Sequence, residues 1–346
     1  MAGTALAWRL SDNWPPIEVH LFTGRPTRID ASAVSGGMVR VFDKDPIQCL
    51  NSGASLTELR SSAKLRKWSG YQEIGSTFLL AGAPTDLGPV LSQIERVIPG
   101  SVSLLTAEQM VDAGWFRDLP HGTLAVVERH AGYLSPDRLR NNLLAHLVAK
   151  GMRVTERPVT AVTTDGRVRY EGGGPIGFDV VVAAAGAWTP ALLRRSGLSS
   201  AGLRTKAIQY LLVGTKSTGW RGVFIDETTG LYGRPVSGNR FLLGLPTDRW
   251  DVGPGALSPD LLLNIGVLEV ASRRLGLGLA APQISTHTAV ECYHSDPGLK
   301  LRPVESSSRL YSFTGGSGGA AKTVLAASQR AAAKLAQQLA LGSATK

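Results

Sequence analysis

Two stretches of the chain decide its fold: VVVAAAGAWTPALLRRSGL, residues Val180 to Leu198, and FTGGSGGAAKTVLAASQRAAAKLA, residues Phe313 to Ala336. Each begins as a strand, continues through a turn of small residues and ends in a helical pattern. The run VVVAA has no polar alternation, as expected of a parallel strand covered on both faces. Small residues after such a strand let a ligand lie against the backbone, and the following helix N-terminus attracts negative charge. Two tight turns without a ligand are the alternative interpretation.

The elements around these two stretches follow an α/β order. Residues 2–12 show apolar positions at helical spacing, residues 17–22 read as a strand, and residues 136–150 show an amphipathic helical pattern. We therefore predict an α/β (α+β) fold in which a doubly wound nucleotide-binding domain carries an inserted domain with a mixed sheet. The predicted nucleotide-binding domain comprises residues 1–48, 130–204 and 295–346, and the inserted domain comprises residues 49–129 and 205–294.

The composition excludes several classes of protein. A chain of 346 residues with 43% hydrophobic residues and two cysteines is neither disordered, nor collagenous, nor stapled by disulfides. Its net charge of +10 raises nucleic-acid binding as a hypothesis, but the basic residues do not cluster and have no interleaved aromatic residues. We expect no nucleic-acid partner and assign the positive charge to attraction of an anionic cofactor or a carboxylate substrate. No apolar run approaches the ~20 residues of a membrane span, so we expect no membrane partner. With two cysteines and a start that makes a poor signal peptide, we expect a cytoplasmic location.

The two quoted stretches resemble the D-amino-acid oxidase and monomeric sarcosine oxidase superfamily of FAD-dependent oxidoreductases. The similarity covers nearly the whole chain in the order of its segments, and its specific motifs are these two stretches and the start of the chain. The resemblance implies a flavin-binding doubly wound domain, a mixed-sheet substrate domain and oxidation of a C–N bond. We therefore expect FAD as cofactor, an amine or amino acid as substrate, and dioxygen or another electron acceptor. No carboxylate or cysteine spacing completes a metal site with the histidines, so we expect no bound metal.

The start of the chain departs from the family pattern, which is a strand, the motif G-x-G-x-x-G and a helix. This sequence begins inside the motif, with Gly3 as the third glycine. We expect either that the strand and the first two glycines precede Met1 in the complete protein or that FAD is bound weakly. Thr23 replaces the acid that normally holds the ribose hydroxyls, and it is a weaker acceptor. The other residues that the resemblance assigns to the cofactor are Val159, Ala185, Gly186, Trp188, Gly318, Gly319, Ala320, Ala321 and Lys322.

The resemblance also implies a carboxylate clamp over the flavin. In the sarcosine-oxidase-like branch an Arg and a Lys hold the substrate carboxylate, and the matching residues are Arg40 in SGGMVRVF and Lys322 in GSGGAAK. A surface arginine and a solvated helix-start lysine are the alternatives. Cations are disfavoured at a helix N-terminus, which favours a functional role for Lys322. Tyr232 in GLYGRP matches an aromatic position beside the substrate, although a half-buried strand tyrosine needs no function.

Two mismatches concern the electron acceptor. Where that branch has a lysine credited with activating dioxygen and a histidine four residues later, this chain has Leu242 and Pro246. Neither side chain carries a charge. Hydride transfer depends mainly on orientation and survives this loss, whereas rapid reoxidation by oxygen need not, so a dehydrogenase with another acceptor stays open.

A third mismatch concerns covalent attachment of the flavin. Some family members use a cysteine in a strand written AVCMYT, and the local match here is AVECYH, residues 289–294. Glu291 stands at the cysteine position and Cys292 follows one residue later. Because successive strand residues face opposite sides, we expect non-covalent FAD and a buried, apolar role for Cys292.

Two functional hypotheses follow. The leading one is an FAD-dependent oxidase or dehydrogenase that converts an amine or amino acid to an imine, with a carboxylate-bearing secondary or cyclic amine favoured. The alternative, motivated by the absent first strand, Thr23 and Leu242, is a non-catalytic, flavin-free relative that binds a small anion or a protein partner.

Overall fold

The structure is a computed structural model, and it describes residues 1–24, 29–82, 86–215, 222–236, 239–255, 257–276 and 279–343. The helices are α1 (Ala2–Asn13), α2 (Pro46–Ser61), α3 (Ala63–Ser69), α4 (Gly88–Val97), α5 (Ala107–Asp112), α6 (Pro136–Ala149), α7 (Thr189–Arg195), α8 (Leu261–Leu275) and α9 (Ala320–Ser343). The strands are β1 (His20–Phe22), β2 (Met38–Val39), β3 (Gln72–Glu73), β4 (Ser76–Leu79), β5 (Val102–Thr106), β6 (Leu124–Glu128), β7 (Gly132–Tyr133), β8 (Arg153–Thr155), β9 (Val159–Val162), β10 (Arg167–Tyr170), β11 (Gly173–Gly177), β12 (Val181–Ala183), β13 (Leu203–Thr215), β14 (Val223–Asp226), β15 (Tyr232–Val236), β16 (Arg240–Gly244), β17 (Leu279–His294), β18 (Lys300–Pro303) and β19 (Leu310–Thr314).

An eight-stranded mixed sheet has the order β17-β13-β16-β15-β14-β4-β6-β5. Its neighbours are antiparallel except β14 and β4, which run parallel. The long pair β13 and β17 starts with Leu203 opposite His294 and places Lys206 opposite Glu291. The mixed sheet and the α/β fold class are therefore as predicted.

Short parallel pairs form the layer that carries the glycine-rich turns. β1 pairs with β8 through His20 and Arg153, and β12 pairs with β19 through Val181 and Leu310. β18 completes the second group by antiparallel pairing with β19. Parallel strands end at the same edge of a sheet, so the segments that follow β12 and β19 lie side by side.

Helices α1, α2, α6 and α9 enclose the largest core cluster, which includes Leu6, Leu56, Leu139, Val324 and Leu335. Residues 4–10 of α1 are all buried, since this helix is covered by its neighbours on every side. A second core cluster, which includes Phe224, Leu243 and Val267, lies between the eight-stranded sheet and α8.

Side-chain caps set where the helices begin. The carboxylate of Asp45 accepts a hydrogen bond from the Ile47 N–H at the start of α2, and Asp260 accepts one from the Leu263 N–H at the start of α8. Gly276 ends α8 in the left-handed conformation, where a side chain would be strained. These local signals place the ends of the helices that frame the site.

The predicted helices over residues 2–12 and 136–150 are confirmed as α1 and α6, and the predicted buried strand after Val180 is confirmed as β12. The predicted strand over residues 17–22 is shorter, and regular pairing begins only at His20. The division of the chain into two discontinuous domains stays a prediction. None of the helices in the described part of the chain combines the length and apolar character that crossing a lipid bilayer requires.

Candidate functional site: a cofactor cavity and a buried charge cluster

The two glycine-rich turns meet at one cavity. Because β12 and β19 are paired in parallel, with Ala183 opposite Ser312, their following turns leave the sheet at the same edge. Residues 183–188 and residues 313–318 both line a cavity of about 2190 Å³. An ordinary small-molecule pocket has about 300–1,000 Å³, so this volume suits an extended ligand together with a second, smaller one.

The glycines of this cavity have the geometry that close backbone approach requires. Gly186 has φ +55°, and a Cβ placed on it would meet no atom within 4 Å, so its backbone faces open space. Gly315 has φ +81°, and Ser317 holds the same left-handed region at φ +50°, which is strained for a serine. At Gly3 a Cβ would stand 2.9 Å from the Cβ of Ala184, so the glycine allows α1 to approach the end of β12.

Aromatic and polar residues line the far end of the cavity. His20 stacks on Phe22 with ring centroids 4.2 Å apart, and the ring of Phe178 stands edge-on to Phe22 at 6.0 Å. Thr23 and Val159 line the same region. Flat apolar rings beside hydrogen-bonding groups are a surface on which a nucleotide base and ribose fit.

Side chains of both charges line the cavity, four arginines and six acidic residues, so the attraction for an anion expected from the net charge stays a prediction. Arg140 contacts the carboxylates of Asp30 and Asp137, while Arg309 donates to the backbone carbonyls of Phe178 and Asp179. The glycine turns and the aromatic surface fit a dinucleotide such as FAD.

Most residues that the sequence assigned to the cofactor line this one cavity, although they come from five separate parts of the chain. Gly319 and Lys322 are not among the lining residues, and direct contact of any of them with FAD stays a prediction. The predicted residues that line the cavity are Gly3, Thr23, Val159, Ala185, Gly186, Trp188, Gly318, Ala320 and Ala321.

The two predicted clamp cations belong to a buried charge cluster, which we define as Arg40, Asp43, Glu128 and Lys322. The ammonium of Lys322, 6% exposed, lies 2.5 Å from Oδ2 of Asp43. The Arg40 guanidinium lies over the ring of Phe78 at 4.8 Å, and its buried Nε has no hydrogen-bond partner among the described residues. The Glu128 carboxylate accepts hydrogen bonds from the N–H groups of Val41 and Phe42 at 2.8 Å.

Burial and mutual charge set the pKa values in this cluster. Burial, with the neighbouring Arg40 charge, lowers the pKa of Lys322 to about 8, although Asp43 acts in the opposite direction. Burial acts to raise the pKa of Asp43, but the Lys322 ammonium outweighs it and the pKa lies below its ordinary value. Burial raises the pKa of Glu128 despite its two backbone hydrogen bonds. The predicted clamp is therefore already partly neutralised by carboxylates of the protein itself.

Tyr232 lies on β15, apart from the residues that line the cavity. Its hydroxyl donates to the carbonyl of Gln209 at 3.2 Å, and burial raises the pKa of the phenol well above its ordinary value. Leu242 lies in an apolar cluster with Tyr210, Val34 and Ala289, with Tyr232 packed against it. The side chain of Leu242 therefore lies in apolar surroundings, where burial of a charged side chain would be unfavourable.

Sequence reasoning missed three carboxylates that the fold brings to these sites: Asp43, Glu128 and Glu291. Asp43 lies three residues after Arg40, and nothing in the sequence around it indicates that it pairs with Lys322. In the sequence Glu128 and the following Arg129 resemble an exposed strand end, but the structure buries Glu128, which is 1% exposed. Glu291 entered only as the mismatch at a cysteine position, although it lines the cavity. The expected burial of Cys292 is confirmed, with the thiol at 6% exposure.

Comparison with solved structures shows the same fold in several oxidases and in a dehydrogenase. L-proline dehydrogenase from P. horikoshii matches with a TM-score of 0.76 and 16% identity, over 97% of this chain and 91% of that one. Glycine oxidase from Geobacillus kaustophilus matches with a TM-score of 0.72 and 20% identity, over 97% and 92% of the two chains. Iminodiacetate oxidase from Chelativorans sp. matches with a TM-score of 0.71 and 16% identity, over 97% and 93%.

A search of curated proteins finds no match to this chain. A family model described as FAD dependent oxidoreductase (DAO) matches residues 1–334, nearly the whole chain. This match confirms FAD as the cofactor and an enzymatic role, and it removes the flavin-free alternative. With the two glycine-rich turns converging on one dinucleotide-sized cavity, the chain belongs to the DAO family of FAD-dependent oxidoreductases.

Proposed function

We propose that the protein oxidises the C–N bond of an amine or amino acid to an imine, with a carboxylate-bearing secondary or cyclic amine as the favoured substrate. The observation that carries the proposal is that Arg40 and Lys322 interact with each other at the start of α9, just after the glycine turn that borders the cofactor cavity. The names of the similar structures, which refer to proline, glycine and iminodiacetate, support the same substrate class.

Arg40 is the stronger of the two proposed carboxylate ligands. Arg40 is half-buried, and its buried Nε lacks a hydrogen-bond partner among the described residues, so an incoming carboxylate would satisfy a group that is otherwise costly to bury. Lys322 is held by Asp43, and a substrate carboxylate would have to share the ammonium with it. We therefore expect Arg40 to contribute more to substrate binding than Lys322 does.

The bound flavin supplies the two-electron acceptor for this chemistry. The residues of the chain orient the amine, keep water away from the reacting carbon and hold the carboxylate. Since the surroundings of Leu242 are apolar, we also propose slow reaction with dioxygen and preference for another electron acceptor. Oxygen uptake as fast as reduction of a dye acceptor would contradict this second statement.

The direct test is anaerobic reduction of the FAD-loaded protein by a panel of amines. Proline, sarcosine, glycine and iminodiacetate are compared with their decarboxylated analogues, and bleaching of the visible flavin band is followed. At least one carboxylate-bearing amine is expected to bleach the flavin faster than its decarboxylated analogue. If dithionite reduces the flavin but no amine does, the proposed reaction is wrong.

A matched pair of variants tests the clamp. Arg40→Met is expected to raise KM for the best carboxylate substrate at least tenfold, which corresponds to about 1.4 kcal/mol. Arg153→Met removes an exposed arginine that lines the cavity, whereas Arg40 is not among the lining residues, and it is expected to leave that KM within about twofold. Equal KM values for both variants would exclude Arg40 as a carboxylate ligand. The cytoplasmic location stays a prediction.

A further inference from the structure

A buried carboxyl group on β17, Glu291, lies in the wall of the cofactor cavity and has no role in the reaction described so far. Its side chain is on the face of β17 that meets the turn before α9. The carboxylate oxygens stand 3.7 and 3.9 Å from the point where a Cβ on Gly318 would lie. A Cβ at position 318 would be in contact with this carboxylate, so the Glu291 carboxylate lies next to the Gly318 backbone with no side chain between them.

The hydrogen bonding of Glu291 is incomplete. A carboxylate accepts about four hydrogen bonds, and among the described residues only the hydroxyl of Tyr293 donates one, to Oε2 at 3.1 Å. Glu291 is nonetheless only 9% exposed. A buried carboxylate with so few donors is unfavourable as an anion, because it has lost its water without gaining equivalent partners.

The charged and titratable groups around Glu291 do not complete its solvation. Lys206 stands opposite on β13, but its ammonium lies against the rings of Trp250 and Tyr293, at 4.7 and 6.0 Å from their centroids. Tyr232 on β15 lies near enough to interact with the Glu291 charge, but its hydroxyl donates to the Gln209 carbonyl, and burial raises the pKa of the phenol so that it stays neutral. As a result, burial raises the pKa of Glu291 to about 7, with Tyr293 and Lys206 acting in the opposite direction.

We propose that Glu291 is a proton-exchanging residue of the cofactor site: reduction of the bound flavin draws one proton from solvent onto Glu291, and the ionised form of Glu291 opposes that reduction. The reason is electrostatic. Reduction adds negative charge within a cavity of low polarity, and a second negative charge in the same wall raises the free energy of the reduced state. A neutral carboxylic acid does not.

The atoms and electrons balance without a further reactant. The amine loses a hydride, which is two electrons and one proton, from the carbon beside nitrogen, and the remaining N–H proton goes to solvent. The flavin receives this hydride whole, both electrons and the proton, and so gains one negative charge, while one proton from solvent adds to the Glu291 carboxylate. The inference depends on FAD binding and not on the identity of the amine.

The experiment compares the FAD-loaded wild-type protein with Glu291→Gln, Tyr293→Phe and Glu269→Gln. Glu269→Gln is the matched control, the same chemical change at an exposed position of α8. The visible spectrum of the oxidised flavin and its midpoint reduction potential against a redox dye are measured across the neutral pH range. No amine is added, so a failure of the proposed amine oxidation and a failure of this inference are separate results.

The wild-type protein and Glu269→Gln are expected to show a spectral transition of the flavin near neutral pH. The slope of midpoint potential against pH is expected to change at this transition and to be smaller below it, where Glu291 is already protonated. Glu291→Gln is expected to lose both and to have the higher potential at alkaline pH. Tyr293→Phe removes the hydrogen bond that favours the carboxylate, so its transition is expected at higher pH. A transition that persists unchanged in Glu291→Gln overturns the inference. If that variant does not hold FAD, an unshifted transition in Tyr293→Phe overturns it.

Discussion

Removal of the Lys322 charge tests the buried charge cluster most directly. Replacing Lys322 by Met leaves the Asp43 carboxylate facing an apolar side chain where it now has an ammonium at 2.5 Å. Breaking a fully buried ion pair in this way costs about 3–5 kcal/mol. Asp43 is 25% exposed and recovers some hydration, so we expect the lower end of that range, about 3 kcal/mol.

The assay is a double-mutant cycle measured by urea unfolding of the FAD-free protein at neutral pH. The variants are Lys322→Met, Asp43→Asn and the two combined. The double variant has no unpaired charge at this point. Its loss in free energy of unfolding is therefore expected to be at least about 1 kcal/mol smaller than the sum of the losses in the two single variants. A loss below about 0.5 kcal/mol for Lys322→Met, typical of a surface substitution, would refute the reasoning.

Three further predictions concern other parts of the molecule. Because the pKa of Glu291 is raised from 4.5 to about 7, the native state binds more protons than the unfolded state in that interval. The free energy of unfolding is therefore expected to fall by up to about 3 kcal/mol as pH rises from 4.5 to 7, at about 1.4 kcal/mol per unit. Urea titrations should show a flatter profile for Glu291→Gln, and equal slopes would contradict this. Arg274→Met breaks an ion pair with Asp226 whose side chains are 3% and 0% exposed, at 2.8 Å, and should cost about 3–5 kcal/mol in thermal or urea unfolding. A cost under about 1 kcal/mol would show that the pair is hydrated. Gly186→Leu should weaken FAD binding at least tenfold, about 1.4 kcal/mol, in a fluorescence titration. Gly122→Leu, with the same left-handed strain and an exposed position outside the cavity, should bind FAD normally, and equal weakening in both would contradict a cofactor role for Gly186.

Local sequence patterns were sufficient to locate the elements that carry the cofactor cavity. The unbroken apolar run after Val180 and the small residues around Gly186 and Gly318 indicate strands followed by turns and helices. Such patterns depend on neighbouring residues only, because strand alternation and helix periodicity follow from local backbone geometry. This is why β12, α1, α6 and the start of α9 are close to their predicted positions.

Local patterns did not reveal the carboxylates of the site. Asp43 and Lys322 are 279 residues apart in the chain, and nothing near either residue indicates the other. Glu128 resembles an ordinary polar strand end until the fold places it under the Val41 and Phe42 N–H groups. The charge state of the proposed substrate site therefore could not be obtained from the motifs that located it.

The sequence by itself determined the strand–turn–helix units, the glycines that leave backbone exposed to a ligand, and the family to which the chain belongs. Only the tertiary structure decided that the turns at Gly186 and Gly318 open onto one cavity, that Asp43 neutralises Lys322, and that Glu291 is buried beside Gly318. The physical reason is the distance along the chain over which each interaction acts. Backbone conformation is set by contacts within a few residues, whereas burial and charge pairing depend on which distant segments the fold brings together.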